Sequence, residues 1–259
     1  MFDGLFDLSG KIALVTGGAQ GMGRMIAEGL VRAGAHVYIT SRKAEVCARA
    51  ADELAAYGRC TALPADLATA EAATALAGEL KARESALHIL VNNAGKTWGA
   101  PLESFPDKGW PGVLAVNVQT PFTLVRDLLP PLKNAARTDD PARVINIGSL
   151  GGRVVEPLSA YSYAASKAAL AHLSRVLAAD LAPYHIAVNT VSPGYFPTPM
   201  TSHIRSDEHL REALEGRIPF RRLGEARDIA GVCIFLSSRA AAYITGADIP
   251  VDGGMSGCR

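Results

Sequence analysis

Charge, aromatic residues and cysteine are all scarce in this 259-residue chain. Charged residues are 20% beside 49% apolar ones, which excludes a disordered chain held open by its own charge. The formal net charge is +1 with no long basic run, so nothing marks nucleic acid or an anionic membrane as a partner. The four cysteines, Cys47, Cys60, Cys233 and Cys258, are scattered without a CxxC. That excludes a disulfide framework and a cysteine-based metal centre, and it fits the reduced thiols of a cytoplasmic protein. No apolar run approaches the roughly 20 residues of a membrane span. Met1 to Ser9 carries Asp3 and Asp7 without a long apolar core, so no signal peptide is expected.

What is present is a regular alternation. Apolar runs near Ile12–Val15, His36–Thr40, Thr61–Pro64, Ile89–Val91, Arg143–Ile147, Ala187–Val191 and Asp248–Val251 read as strands. Helical periodicity lies between them, near Met22–Ala33, Ala44–Tyr57, Ala70–Glu84, Lys108–Leu129, Ser162–Leu181 and Ala226–Leu236. A βαβ series of this kind predicts an α/β fold: one Rossmann-type doubly wound domain over residues 1–259, a seven-stranded parallel sheet with helices on both faces. Pro130-Pro131 and the stretch from Asn134 to Pro141 read as a surface connection. The interval from about 194 to 224 breaks the rhythm. It carries Phe196, Met200, Ile204, Leu210, Leu214, Ile218 and Phe220, which suits a substrate flap or, alternatively, an extra packing helix.

The first strand runs directly into Thr16-Gly17-Gly18-Ala19-Gln20-Gly21-Met22-Gly23 and then a helix. Strand, glycine loop and helix form the context of a dinucleotide site. Gly17 permits a tight turn, Gly21 a close approach of backbone to pyrophosphate, and Gly23 the packing of helix on strand. The helix N-terminus presents free N–H groups to the phosphates.

Tyr163 and Lys167 stand four residues apart in Tyr-Ala-Ala-Ser-Lys. On a helix both project from one face. An ammonium near a phenol favours phenolate, so the tyrosine pKa should fall, and a phenol tuned toward neutrality can exchange a proton with a carbonyl or alcohol oxygen. In isolation such a pair is an ordinary solvated face. Ser149 follows the apolar strand Val144-Ile145-Asn146-Ile147-Gly148, at the carboxyl end where open α/β sheets place ligands. Tyr161 is a rival phenol, but six residues from Lys167 it lies well round the helix. Asn117, in Ala115-Val116-Asn117-Val118, is a poor helix former inside an expected helix, which suggests a polar purpose.

The Thr16-Gly17 loop with its Gly21 and Gly23, Asn92-Asn93-Ala94-Gly95, Asn117, Ser149, Tyr163 with Lys167, and Pro193-Gly194 resemble, in order, the classical short-chain dehydrogenase/reductase family. The resemblance implies a catalytic group of Ser149, Tyr163, Lys167 and Asn117. Ser149 and Tyr163 would hold the substrate oxygen, Lys167 would lower the phenol pKa and hold the ribose, and Asn117 would position a water linking Lys167 to solvent. It implies a nucleotide site of Gly17, Gln20, Gly21, Met22, Gly23, Ser41, Arg42, Lys43, Asp66, Leu67, Asn93, Ala94, Gly95, Pro193, Gly194, Phe196 and Thr198, with Tyr163 and Lys167 shared. No metal is required.

Where an NAD site places an acid after the second strand, this chain has Arg42 and Lys43. The resemblance then implies NADP(H) rather than NAD(H), since a guanidinium grips a 2′-phosphate. One departure is Gln20, where NADP-using relatives often carry a basic residue. The segments Asn92 to Glu103 and Pro193 to Pro197 resemble reductases of the rhamnolipid-pathway type, which implies 3-oxoacyl thioesters or similar ketones as substrate. Trp98, Tyr195 and Met200 are the candidate substrate contacts, with plain packing the alternative for Trp98. A polyol, sugar-acid or xenobiotic alcohol dehydrogenase on the same scaffold is the second reading, and a catalytically silent nucleotide-binding protein the distant one. Family members commonly form homotetramers through the helices that bear Asn117 and Tyr163, and the same is expected here.

Overall fold

The computed structural model describes residues 4–201 and 207–258, without the side chain of Met200; the expected flap residue Ile204 lies outside that range. The strands are β1 (Ile12–Val15), β2 (His36–Ile39), β3 (Cys60–Ala62), β4 (Ile89–Asn92), β5 (Ala142–Ile147), β6 (Ile186–Pro193) and β7 (Asp248–Val251). They form one parallel sheet in the order β3-β2-β1-β4-β5-β6-β7. Every residue of β4, β5 and β6 is buried, as a parallel sheet covered on both faces demands.

The helices are α1 (Gly21–Arg32), α2 (Ala44–Ala55), α3 (Ala70–Arg83), α4 (Pro111–Leu114), α5 (Thr120–Asp127), α6 (Leu129–Ala135), α7 (Tyr161–Leu181), α8 (Glu208–Arg217) and α9 (Ala226–Ser237). Side chains alternate across each strand. In β1, Ala13 and Val15 join the core under α1, α2 and α9, while Leu14 joins the core under α3, α5 and α7. Helices α1 and α9 touch closely, since a Cβ on Gly29 would lie 2.6 Å from that of Ala230. A third, small cluster of Leu150, Leu214, Ile218 and Met255 seats α8 against the β5–α7 loop.

Two local expectations are corrected, and at a third interval the helix offered as the alternative forms. The continuous helix over 108–129 is broken into α4, a π turn at Ala115–Gln119, and α5. Pro121 has no N–H to give the Asn117 carbonyl four residues back, and the Thr120 N–H reaches Ala115, five back. Pro130 and Pro131 open α6 instead of a loop, because the first turn of a helix needs no N–H there. The flap contains a helix of its own, α8, begun by Asp207, whose carboxylate accepts from the Leu210 N–H at 3.0 Å.

The chain winds from β1 out to β3 and returns to place β4 beside β1. At such a reversal, beyond the carboxyl ends of β1 and β4, open α/β sheets place their ligands. The glycine loop, Asn92–Gly95, Ser149 and Pro193–Gly194 all leave the sheet along this one edge.

Candidate active site

Ser149 leaves β5 and caps a short turn, Leu150–Gly152, its Oγ accepting from the Gly151 N–H at 3.2 Å. That turn lies hard on α7: a Cβ on Gly152 would stand 2.8 Å from the Lys167 carbonyl carbon. The contact brings the Ser149 hydroxyl next to Tyr163. Lys167, one turn further on, is 5% exposed and donates to the Ile147 carbonyl at 2.7 Å. Its Nζ is 5.7 Å from the centre of the Tyr163 ring. Tyr161 faces outward, edge-on to Phe105 with centroids 5.3 Å apart.

The electrostatics differ from expectation. Burial pushes the Tyr163 phenol up, and the neighbouring Ser149 hydroxyl is what opposes it. The Lys167 ammonium is not among the groups that oppose this rise, and burial lowers Lys167 itself to about 8. The half-buried phenol and the buried ammonium lie side by side, each short of the solvation its charged form needs.

Asn117 is buried in the π turn. Its Oδ1 accepts from the Lys96 N–H at 2.8 Å, and its Nδ2 donates to the Lys96 carbonyl and to Ser166 Oγ, both at 2.9 Å. Ser166 in turn donates to the Tyr163 carbonyl at 2.7 Å. The Asn117 side chain is thus committed to fixing the β4 loop to the Tyr163 helix. A Cβ on Gly95 would lie 3.6 Å from Asn117 Oδ1 and 3.8 Å from Lys167 Nζ, so glycine there brings the β4 loop close to both.

The glycine loop has the geometry of a phosphate cradle. Gly17 and Gly21 take φ of +65° and +53°, a region that favours glycine. A Cβ on Gly23 would sit 2.3 Å from the Gly17 oxygen. Thr16 Oγ1 accepts from the Asn93 and Ala94 N–H groups at 2.9 Å each, and Asn93 Nδ2 donates to the Thr16 carbonyl at 2.9 Å. Asn93 therefore pins β4 to the loop. Arg42 and Lys43 are exposed at the start of α2, and neither enters an ion pair among the described residues. The loop fits a dinucleotide pyrophosphate, and the two cations stand free at the end of β2.

Residues 17–256 match a family model described as enoyl-(acyl carrier protein) reductase. The rhamnolipids biosynthesis 3-oxoacyl-[acyl-carrier-protein] reductase of Pseudomonas aeruginosa is 51% identical over 253 residues, 96% of this chain and 98% of that one. The chain belongs to the short-chain dehydrogenase/reductase family. The gluconate 5-dehydrogenase of Gluconobacter oxydans is 33% identical over 97% of each chain. Among solved structures, the Pseudomonas aeruginosa RhlG/NADP active-site complex superimposes with a TM-score of 0.95 at 49% identity, covering 97% of this chain and 98% of that one.

Several residues that the short-chain dehydrogenase/reductase pattern offers for contact are otherwise engaged. Phe196 is 2% exposed, its ring filling the space over Gly224, where a Cβ would lie 2.4 Å away. It has only backbone to offer a nucleotide. Leu67 is core, its carbonyl held by Thr120 Oγ1 at 3.0 Å, while Asp66 is exposed. Thr198 and Pro199 lie over Gly21, 3.4 and 3.2 Å from where its Cβ would be. Met22 packs partly buried on the first core, and Gln20 makes no capping bond at the start of α1. Ser41 and Gly194 hold backbone positions, their carbonyl and N–H bonded to Ala65 and Val251.

On the substrate side, Trp98 lies against Gly109 and beneath Lys108, whose Nζ is 5.9 Å from its ring centre. The Tyr195 hydroxyl is not free for substrate: it donates to Glu156 at 2.7 Å. For Met200 only the backbone falls within the described residues. The supporting residues Thr16, Ser166 and Glu156 were not expected. Ser166 lies inside the Tyr163–Lys167 spacing, and Glu156 is a single acid in an apolar stretch.

Proposed function

We propose that this chain is an NADP(H)-dependent reductase of ketones, with 3-oxoacyl thioesters as the preferred substrate class. The observation that carries this reading is the Ser149 hydroxyl set next to Tyr163, beside buried Lys167 and on the same sheet edge as the glycine loop. Two hydroxyls converging on one point suit a carbonyl oxygen. NADP(H), when bound, supplies or accepts the hydride.

The protein's own residues do the rest. Gly17, Gly21 and Gly23 cradle the pyrophosphate, and Arg42 with Lys43 meets the 2′-phosphate. Ser149 donates to the substrate oxygen and Tyr163 transfers the proton to it. Lys167 lies under the phenol and reaches the ribose. Because the Asn117 side chain is occupied, a water relay from Lys167 would use the Asn117 carbonyl, toward which Pro121 can aim no N–H.

The thioester preference is supported by the 51% relative and by exposed apolar Leu102, Val155 and Leu158, carried by the loops after β4 and β5, which meet through the Ala100–Ser159 hydrogen bond. The Gluconobacter relative favours the second reading, a sugar-acid dehydrogenase. Turnover of 3-oxoacyl thioesters, keto-sugar acids and simple ketones, each with NADPH and NADH, tests both. Preference for a keto-sugar acid would select the second. A homotetramer is also proposed: α4, α5 and α7 leave Leu114 and Phe122 38% and 40% exposed beside a shallow groove. Light scattering that gives a monomer mass would reject it. Among the described residues no helix is long and apolar enough to cross a membrane, and a cytoplasmic setting is proposed with it.

A further inference from the structure

The stretch Val154-Val155-Glu156-Pro157-Leu158 is folded against its own chemistry. Val155 and Leu158 are 93% and 50% exposed, while the Glu156 side chain between them is 4% exposed. Its carboxylate accepts from the Tyr195 hydroxyl at 2.7 Å, and Arg217 Nη2 lies 3.5 Å from the same oxygen. These partners come from separate places. Tyr195 begins the flap just after β6, and Arg217 ends α8. Glu156 itself lies midway along the chain between Ser149 and Tyr163. The surrounding cluster of Leu150, Val154, Leu214 and Ile218 is apolar. A carboxylate persists in such surroundings only when hydrogen-bonded and paired.

We propose that Glu156 is a positioning residue that fastens Tyr195 and α8 to the Ser149 loop, so that the wall of the substrate opening and the serine hydroxyl move as one body. An apolar side chain could fill the same space, but it would slide. The hydrogen bond and ion pair fix a direction as well as a contact. The kinetic consequence rests on the reductase reading above, whereas the structural one does not.

Glu156→Gln, Tyr195→Phe and the double variant of the full chain separate the two. Hydrogen exchange across residues 207–218 reads the fastening directly, without any turnover. Each single variant should speed exchange there by about tenfold, and the double should be no faster than the worse single. With NADPH and a 3-oxoacyl thioester, the KM for the thioester should rise about fivefold to tenfold while kcat stays within about twofold. Tyr195→Phe removes one hydroxyl and keeps the ring, so it decides the matter even if Glu156→Gln fails to fold. Unchanged exchange in Tyr195→Phe, or a double variant whose effect equals the product of the singles, overturns the proposal. Faster exchange with an unaltered KM also overturns it, leaving a contact that only packs. If the wild-type chain turns over no ketone, the reductase reading fails, and the exchange result alone judges the fastening.

Discussion

The sheet buries a lysine at each end. Lys11, just before β1, is 7% exposed, and Lys167, against the last residue of β5, is 5% exposed. At the amino edge Lys11 meets both oxygens of Asp140 at 2.7 Å, and Asp140 also accepts from buried Arg143 at 3.2 Å. At the carboxyl edge Lys167 has one backbone carbonyl and no carboxylate among the described residues. Burial lowers both lysines, but Asp140 pulls Lys11 back upward, while nothing opposes the fall of Lys167 to about 8. The same side chain is a structural clamp where its charge is satisfied and a chemical group where it is not.

The strongest way to break this contrast is at the phenol. Tyr163→Phe should lower kcat by about 10²–10⁴-fold with nucleotide affinity and melting temperature nearly unchanged. Tyr161→Phe should leave kcat close to normal. Steady-state kinetics beside nucleotide titration checks both, and a large loss in Tyr161→Phe alone would move the catalytic assignment.

At the other end, Asp140→Ala should cost about 3 kcal/mol of stability by leaving two buried cations short of their acid. Turnover per folded molecule should be unchanged. Urea unfolding gives the first quantity and kinetics the second; a fall in kcat without a fall in stability would erase the distinction between the two ends.

Lys167→Met sharpens it from the stability side. The folded value of Lys167 is about 8 against 10.5 for an ordinary lysine. Between those values the unfolded chain holds a proton that the folded chain has released, so stability rises with pH across that window. Below about 8 both states are charged and the burial cost is felt in full. Lys167→Met should therefore abolish most turnover yet stabilise the fold at pH 7 by about 1–3 kcal/mol, less whatever the lost Ile147 hydrogen bond gave. The gain should fade by about pH 10.5. A melting series over pH 7–10.5 that shows no convergence would refute the buried-ammonium cost.

The smallest effect is expected at the rim of the nucleotide site. Arg42→Ala should weaken use of NADPH by about ten- to a hundredfold and leave NADH nearly alone. Equal losses with both nucleotides would remove Arg42 from the 2′-phosphate.

Much of this was legible from spacing. The glycine loop, the order of strands and the Tyr163–Lys167 turn are local patterns with fixed periods, and β1 and β7 fall on their expected bounds. What spacing does not carry is where a bond is spent. Asn93, Phe196 and Tyr195 have suitable chemistry for a ligand, but partners remote in sequence use their polar groups or bury their rings. The continuous helix over 108–129 and the Pro130-Pro131 connection were misjudged because proline's effect depends on which turn of a helix it occupies. The direction of the Tyr163 shift was missed for a similar reason: proximity in sequence is visible, whereas desolvation belongs to the folded whole.

The close seat of Gly152 on the Lys167 backbone divides the β5–α7 loop into two parts with different evolutionary freedom. Residues 149–152 are geared to the catalytic helix, and any side chain at 152 would pry serine from tyrosine. Residues 153–160 lie beyond that contact, tied down through Glu156 to Tyr195 and Arg217 and through Arg153 to Asp248, but exposed Val155 and Leu158 can change character without touching it. Descendants of this enzyme can therefore acquire new substrates through that outer segment while inheriting an untouched Ser149–Tyr163 pair.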